Sequence, residues 1–376
     1  MFANATKLCT INGFTIRVDP SWLVIAALVT WSLSQQYFPN VLPDAHPNTH
    51  MTMALAAMVC FFTSLLAHEL AHCVVARRLG VPVKNITLFL FGGVAELETE
   101  PQSAVVEFWV ALAGPAMSFT LAFGFWGLTI VAGAAPGADP VVLVLSYVAL
   151  MNLILALFNL IPAFPLDGGR VLRAYLWHRS GNSLSATRTA AKSGGILGYV
   201  LIGLGVLALF RGALVAGLWQ IMIGGFILMA ARSSYQSHLA RAAFDHKVVR
   251  DLMGRDPTTI GPEITLADYV NRTVLAQGVT FVPVVEDGVL LGHMDRNVLS
   301  GIDREHWGST QVGDVFVGLN GENSTGPNVP IQDLMARISK TNRRKFMVVQ
   351  NHNLIGVITL TDLIQYLQAS ERAMDL

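Results

Sequence analysis

The sequence predicts an α-helical polytopic membrane domain with a small membrane-associated β-hairpin, followed by a soluble α+β region of two similar modules. Three observations predict it. The 376-residue chain is 53% hydrophobic and 13% charged, with mean hydropathy +0.51, whereas an average soluble domain is about one quarter charged. The charges are unevenly placed: Asp44 is the only formal charge between Asp19 and His68, Asp139 from Phe108 to Leu166, and Arg211 from Ser193 to Ala231. After residue 245 they return at ordinary density.

Uncharged apolar runs of this length predict transmembrane helices. Six are expected, roughly at 21–37, 52–78, 105–133, 140–161, 194–210 and 213–231. Pro, Gly and Asn punctuate the gaps, as in "FPNVLPDAHPN" and "GAAPGADP". The loops at 38–51 and 134–139 hold no Lys or Arg, and Arg211 stands alone between the last two spans. The opposite side collects Lys7, Arg17, Arg77, Arg78, Lys84, Arg170, Arg173, Arg179, Arg188, Lys192 and the basic residues after Arg232. Positive residues favour the cytoplasm, so both termini are expected there. Zero formal net charge and the lack of a basic block argue against a nucleic-acid partner. Cys9, Cys60 and Cys73 form no CxxC pair and no disulfide framework. The N-terminus has no basic segment running directly into an apolar one, so no cleavable signal peptide is expected.

The second span contains "LLAHELAHCVV", residues 65–75. His68 and His72 are four residues apart and share one helix face, with Glu69 beside them. HExxH is the pattern of two imidazoles on a metal with a carboxylate as general base. Burying one ionisable side chain in a bilayer costs at least about 2.5–3.5 kcal/mol. Three within five positions demand a compensating partner, and a divalent cation provides one; a satisfied polar contact between helices is the plainer alternative. Catalytic zinc usually takes a third protein ligand. Asp167 in "NLIPAFPLDGGR", residues 159–170, is the best-placed candidate, at the end of the fourth span on the same membrane side. Pro162 and Pro165 break the helix there, and Gly168 and Gly169 permit a tight approach. An ordinary Pro/Asp/Gly turn at a membrane exit would have the same composition.

HELAH followed by N-x-x-P-x-x-P-x-D-G resembles the site-2 protease family of intramembrane zinc metalloproteases. The similarity spans roughly residues 1–235 and includes "LFLFGGVAELETEP" (88–101) and "EFWVALAGPAMS" (107–118). The resemblance implies one Zn2+ on His68, His72 and Asp167, Glu69 as general base, and Asn159 near the catalytic centre in substrate positioning or polarisation. It also implies single-span or membrane-anchored protein substrates. A transmembrane substrate must unwind before its peptide bonds are accessible, and its freed backbone then needs partners. The stretch 86–91 has strand character, and Gly92-Gly93 permits a turn. The expectation is a membrane-associated hairpin whose edge pairs with substrate through Ile86, Leu88, Leu90, Gly92 and Gly93. A hairpin without any substrate role is the alternative.

Residues 247–376 follow a linker expected at 236–246. "VTFVPVVEDGVLLGHM" (279–294) is strand, turn, strand. "KFMVVQNHNLIGVITLTDLIQYLQ" (345–368) repeats that plan and adds a helix. "VRDLM" (249–253) and "IQDLM" (331–335) add a weak internal repeat. Together these resemble a tandem pair of cystathionine-β-synthase-type (CBS) domains, expected at 247–306 and 307–376. Such pairs often bind adenine nucleotides and commonly form homodimers. "GVITLTD" fits the ribose-contacting pattern through Thr359 and Asp362, whereas "GHMDRNV" departs from it at Asp295 and Val298. Thr359 and Asp362 would equally serve as a helix cap.

The leading expectation is a membrane-embedded zinc endopeptidase regulated by its cytoplasmic CBS pair. A polytopic ion or metal transporter gated by that pair is the alternative. It would need polar residues at several depths and on several spans, whereas here they concentrate in HELAH and the 159–167 stretch. A catalytically silent sensor would have no use for Glu69.

Overall fold

The computed structural model describes residues 5–89, 92–97, 101–137, 139–276, 278–351 and 353–374. The chain divides into two compact units, Met1–Gln236 and Ser237–Leu376.

The first unit opens with strands β1 (Thr6–Ile11) and β2 (Phe14–Val18), antiparallel and joined by Asn12-Gly13. Both turn residues have positive φ, +50° and +84°, the left-handed conformation that Asn-Gly hairpin turns require. Helix α1 (Ser21–Ser32) continues through one π turn (Leu33–Tyr37) into α2 (Phe38–Val41) without a break. The expected first span is therefore a composite helix, rising about 30 Å from Ser21 to Val41. Five further helices are each long and apolar enough to cross a membrane: α3 (Pro47–Arg78), α4 (Ala104–Ala132), α5 (Asp139–Asn159), α7 (Ser183–Phe210) and α8 (Leu214–Ala243). They expose large apolar side chains, among them Val59, Trp126, Ile154, Ile196 and Val215. That outward apolar surface suits lipid as the solvent. Between α5 and α7 lies α6 (Asp167–Ser180), too short and too polar to span.

Strands β3 (Val83–Phe89) and β4 (Gly92–Leu97) form the expected hairpin, with Phe89 opposite Gly92. Gly92 and Gly93 are thus the first residues of β4 rather than the turn. β3 also pairs in parallel with β2, giving a four-stranded sheet in the order β1-β2-β3-β4. The sheet packs on α3 through Phe14, Ile86, Cys73, Leu66 and Leu70.

In the second unit, β5 (Phe281–Glu286) and β6 (Val289–Asp295) pair antiparallel, with β7 (Val317–Gly318) on the β6 edge. β9 (Lys345–Gln350) and β10 (Asn353–Thr359) repeat the plan, with β8 (Ser324–Thr325) on the β9 edge. Short helix α9 (Arg296–Ser300) follows β6, and α11 (Leu360–Met374) follows β10. Residues 236–243, within the expected linker, are helical and form the last part of α8. The two modules also borrow from each other across the boundary expected at 306/307. Val249 lies in the core of Ile331, Phe346, Val348 and Ile358. Val312, in helix α10 (Val312–Val315), lies in the core of Leu266, Val282, Val284 and Met294.

Candidate active site

His68 and His72 project from one face of α3, about 15 Å and about 9 Å from its Arg78 end. Both are buried. Their outer ring nitrogens are held by α4. His68 Nδ1 lies 2.9 Å from Ser118 Oγ, and His72 Nδ1 lies 2.6 Å from the Val110 carbonyl oxygen. A carbonyl only accepts, so His72 Nδ1 carries the proton and its Nε2 presents a lone pair. Helix α4 runs directly under the rings: a Cβ at Gly114 would overlap both Nε2 atoms. Only glycine leaves the pair room to converge.

Asp167 is the first residue of α6, after the non-helical segment that follows α5. A Cβ at Gly168 would overlap the Leu160 and Ile161 carbonyl oxygens, and one at Gly169 would overlap Ala163 and the Phe164 nitrogen. The two glycines therefore let α6 begin against the folded-back 160–166 segment. Helix α7 holds that segment from the other side: Phe164 N–H donates to the Ala190 carbonyl (3.3 Å), and Ser193 Oγ donates to the Pro162 carbonyl (2.7 Å).

The three groups meet. Asp167 Oδ2 lies 3.2 Å from His68 Nε2 and 3.2 Å from His72 Nε2, and the two Nε2 atoms are 3.2 Å apart. Zinc bonds of about 2.0–2.1 Å set tetrahedral ligand–ligand edges of roughly 3.3–3.4 Å. The triangle has that size. It also needs a positive centre, because the His72 lone pair points at a carboxylate and at a second imidazole. The donor set of two imidazoles and one carboxylate fits zinc. Among the described residues, His68, His72 and Asp167 are the one metal-capable group. No second such group is found among the described residues.

Glu69 lies against the sheet: a Cβ at Gly93 would lie 2.5 Å from Glu69 Cγ. The β4 backbone therefore runs against the side chain expected to act as base. Asn159 is the last residue of α5, half-buried, immediately before the segment that turns back to Asp167.

The substrate-pairing expectation needs correction for β3. Ile86 is fully buried in the core shared with Phe14 and Cys73. β3 has both edges occupied, by β2 and by β4. Ile86 and Leu88 therefore lie on an interior strand and cannot offer a free edge. Leu90 lies outside the described residues. Gly92 and Gly93 fall on β4, which ends the sheet. Local composition carries no sign of this, because the covering strand β2 lies far back in the chain.

Sequence reasoning also missed a buried ion pair. Glu107 on α4 is fully buried and meets Arg173 of α6, itself 5% exposed, with Arg170 Nε 4.0 Å away. The pair fixes α6, and with it Asp167, onto the helix that carries Val110, Gly114 and Ser118.

In the second unit, Thr359 and Asp362 bond to each other. Thr359 N–H and Oγ1 both donate to Asp362 Oδ2 at 2.8 Å, and Asp362 N–H donates to Thr359 Oγ1 at 3.2 Å. This closes the first turn of α11. A cavity of about 720 Å3 opens elsewhere, between the modules, lined by Phe281, His293, Asp295, Arg296, Arg343 and Lys345 among others. Neither Thr359 nor Asp362 lines it. Burial lowers the His293 pKa, against the opposing pull of Asp295, and burial likewise lowers that of Lys345. Lys345 Nζ donates to Thr280 Oγ1 at 3.0 Å and stands 5.7 Å over the Phe281 ring.

Comparison with known proteins follows the same division. Residues 56–141 and 127–202 match Peptidase family M50, and residues 249–293 and 324–369 match the CBS domain. The chain is 36% identical over 362 residues to a Mycobacterium tuberculosis protein named zinc metalloprotease Rip3, covering 96% of this chain and 92% of that one. It is 28% identical over 313 residues to zinc metalloprotease MJ0392 of Methanocaldococcus jannaschii, covering 83% and 85%. A solved site-2 protease from Methanocaldococcus jannaschii aligns with 61% of this chain and 95% of its own length, at 26% identity and TM-score 0.44. The chain is an integral membrane protein that belongs to Peptidase family M50, the site-2 protease family of zinc metalloproteases, and carries a pair of CBS domains.

Proposed function

We propose that the protein is an intramembrane endopeptidase that cleaves the transmembrane segments of single-span or membrane-anchored proteins. The observation that carries this reading is the triangle of His68, His72 and Asp167, with mutual separations of 3.2 Å in the middle of a membrane helix bundle. These three residues would hold zinc. When bound, zinc supplies Lewis-acid polarisation of the scissile carbonyl and activation of water. Glu69 accepts a proton from the attacking water and returns it to the leaving amine. Ser118 and the Val110 carbonyl keep both imidazoles turned inward. The unwound substrate strand adds to the β4 edge, which lies against Glu69, so that strand addition delivers the peptide bond to the base. Asn159 assists at the same centre by positioning the peptide.

The test is zinc content and cleavage together. Wild type and Glu69→Gln are purified in detergent, and cleavage of a single-span substrate is followed by mass spectrometry. The expected result is about one zinc per chain in both and cleavage by wild type alone. Absence of zinc from both, or equal cleavage by both, would overturn the reading.

The CBS pair is proposed to regulate cleavage by binding an adenine nucleotide and to dimerise the protein. The capped Thr359–Asp362 pair favours a helix-terminating role for those residues. The cationic cleft of Arg296, Arg343 and Lys345 is the better place for the phosphates. The orientation expected from charge distribution, with both termini cytoplasmic, is checked by labelling single cysteines from each side of sealed vesicles.

A further inference from the structure

A second cavity, about 470 Å3, lies between α7 and α8, within the size range of small-molecule sites, about 300–1,000 Å3. The two helices pack antiparallel with close backbone approach. A Cβ at Gly194 would lie 3.1 Å from Ala231 Cβ, one at Gly198 2.9 Å from the Gly224 carbonyl oxygen, and one at Gly205 2.7 Å from the Gly217 carbonyl oxygen. This register sets Lys192 and Arg232 at one height. Each is the first charge met after an uncharged run, Phe210 back to Ser193 on α7 and Leu214 to Ala231 on α8, a rise of about 27 Å. That is close to the hydrocarbon thickness of a bilayer, so both cations mark one membrane boundary.

The cavity straddles this boundary. Lys192, Arg232 and Arg188 form its polar end, and both Lys192 and Arg232 are exposed. Its other end is Gly195, Ile196 and Leu228, with Tyr199 and Tyr235 among the lining residues. Tyr side chains are enriched where headgroups meet hydrocarbon. Cations at the water level and an apolar wall below them complement one molecule that is anionic at one end and alkyl at the other. Basic pockets between transmembrane helices take anionic lipid headgroups.

We infer that this pocket binds one anionic phospholipid, with its phosphate on Lys192 and Arg232 and an acyl chain along Gly195 and Leu228. Inorganic phosphate would satisfy the cations and leave the apolar wall empty. The opposite face of α7 holds the segment that carries Asp167, through Ala190 and Ser193. The bound lipid braces the helix against which Asp167 is positioned, without touching the zinc ligands.

Native mass spectrometry of the full chain tests this with phosphatidylglycerol, phosphatidylcholine and inorganic phosphate as probes. Wild type should retain one phosphatidylglycerol in preference to phosphatidylcholine, and inorganic phosphate at millimolar concentration should not displace it. K192Q/R232Q should lower retention by roughly tenfold or more. G195L should lower it as well. The Gly195 Cβ position meets only Leu228 Cδ2 at 4.0 Å, so leucine fills the groove and leaves both cations in place. A charge-matched control, R78Q/R179Q, removes exposed cations outside the pocket and should change little. The thermal midpoint and a monodisperse size-exclusion profile in detergent report that each variant is folded. Equal retention of the two lipids by wild type overturns the inference and requires no variant. So do full displacement by inorganic phosphate, an equal loss in the R78Q/R179Q control, and unchanged retention in G195L.

Discussion

His72 shows how much of the centre can be read from sequence and how much cannot. The four-residue spacing from His68 announces a shared helix face, and Asp167 could be nominated because its membrane depth matched. The partners that orient the rings, Ser118 and the Val110 carbonyl, come from α4. No spacing along the chain reveals which helix packs over another. Ser118→Ala should weaken zinc affinity by roughly 10–100-fold, read by chelator competition, because His68 loses the group that fixes its ring. Gly114→Ala should abolish zinc retention, since a methyl group cannot coexist with the converging Nε2 atoms. Gly93→Ala separates the two functions. Its methyl group meets Glu69 rather than a ligand, so zinc content should stay at the wild-type level while cleavage falls.

At the scale of elements, the corrections concern contacts made over long sequence separation. The hairpin β3–β4 was legible from its local composition. The parallel pairing of β3 with β2 was not, although Asn12-Gly13 signalled the β1–β2 turn. Once β3 is interior, the open edge is β4. Proline substitutions along β4 should therefore alternate in effect: where the N–H faces outward cleavage is lost with the sheet intact, and where it bonds β3 the sheet itself is disrupted. Hydrogen exchange on β3 distinguishes the two. Arg173 likewise has a partner that counting basic residues near span ends does not reveal. It is buried on Glu107. Removing one member of such a pair leaves an uncompensated buried charge, at about 3–5 kcal/mol. Arg173→Met should thus lower the thermal midpoint sharply and release Asp167. The double variant E107L/R173M should recover most of the stability, because replacing both members with apolar groups is often near neutral.

At the scale of the whole molecule, the uncharged runs located the membrane unit and the repeated strand plan located the two modules. Their interleaving stayed hidden, because Val249 and Val312 each join a core that forms from the other side of the boundary. The cleft between the modules is where that interleaving has a measurable consequence. His293 on β6 lies there, 2% exposed, with Phe281 at 4.6 Å, Asn323 Nδ2 at 3.4 Å and Asp295 Oδ2 at 3.9 Å. Burial is the strongest influence on it and lowers its pKa, Asp295 opposes, and Arg343 adds to the lowering. In the unfolded chain a histidine titrates near about 6.5. The stability contributed by keeping His293 neutral is fully present above that value. It is lost as the pH falls from there through the lower folded value, because the unfolded chain takes up the proton first. Hydrogen exchange of the β5 and β6 peptides in the full chain should therefore accelerate from about pH 7.5 to about pH 5.5, after correction for the intrinsic exchange rate. His293→Gln, which cannot titrate, should flatten that dependence in β5 and β6 while leaving β3 and β4 unchanged. An equal pH response in wild type and His293→Gln would assign the loss to other groups in the cleft.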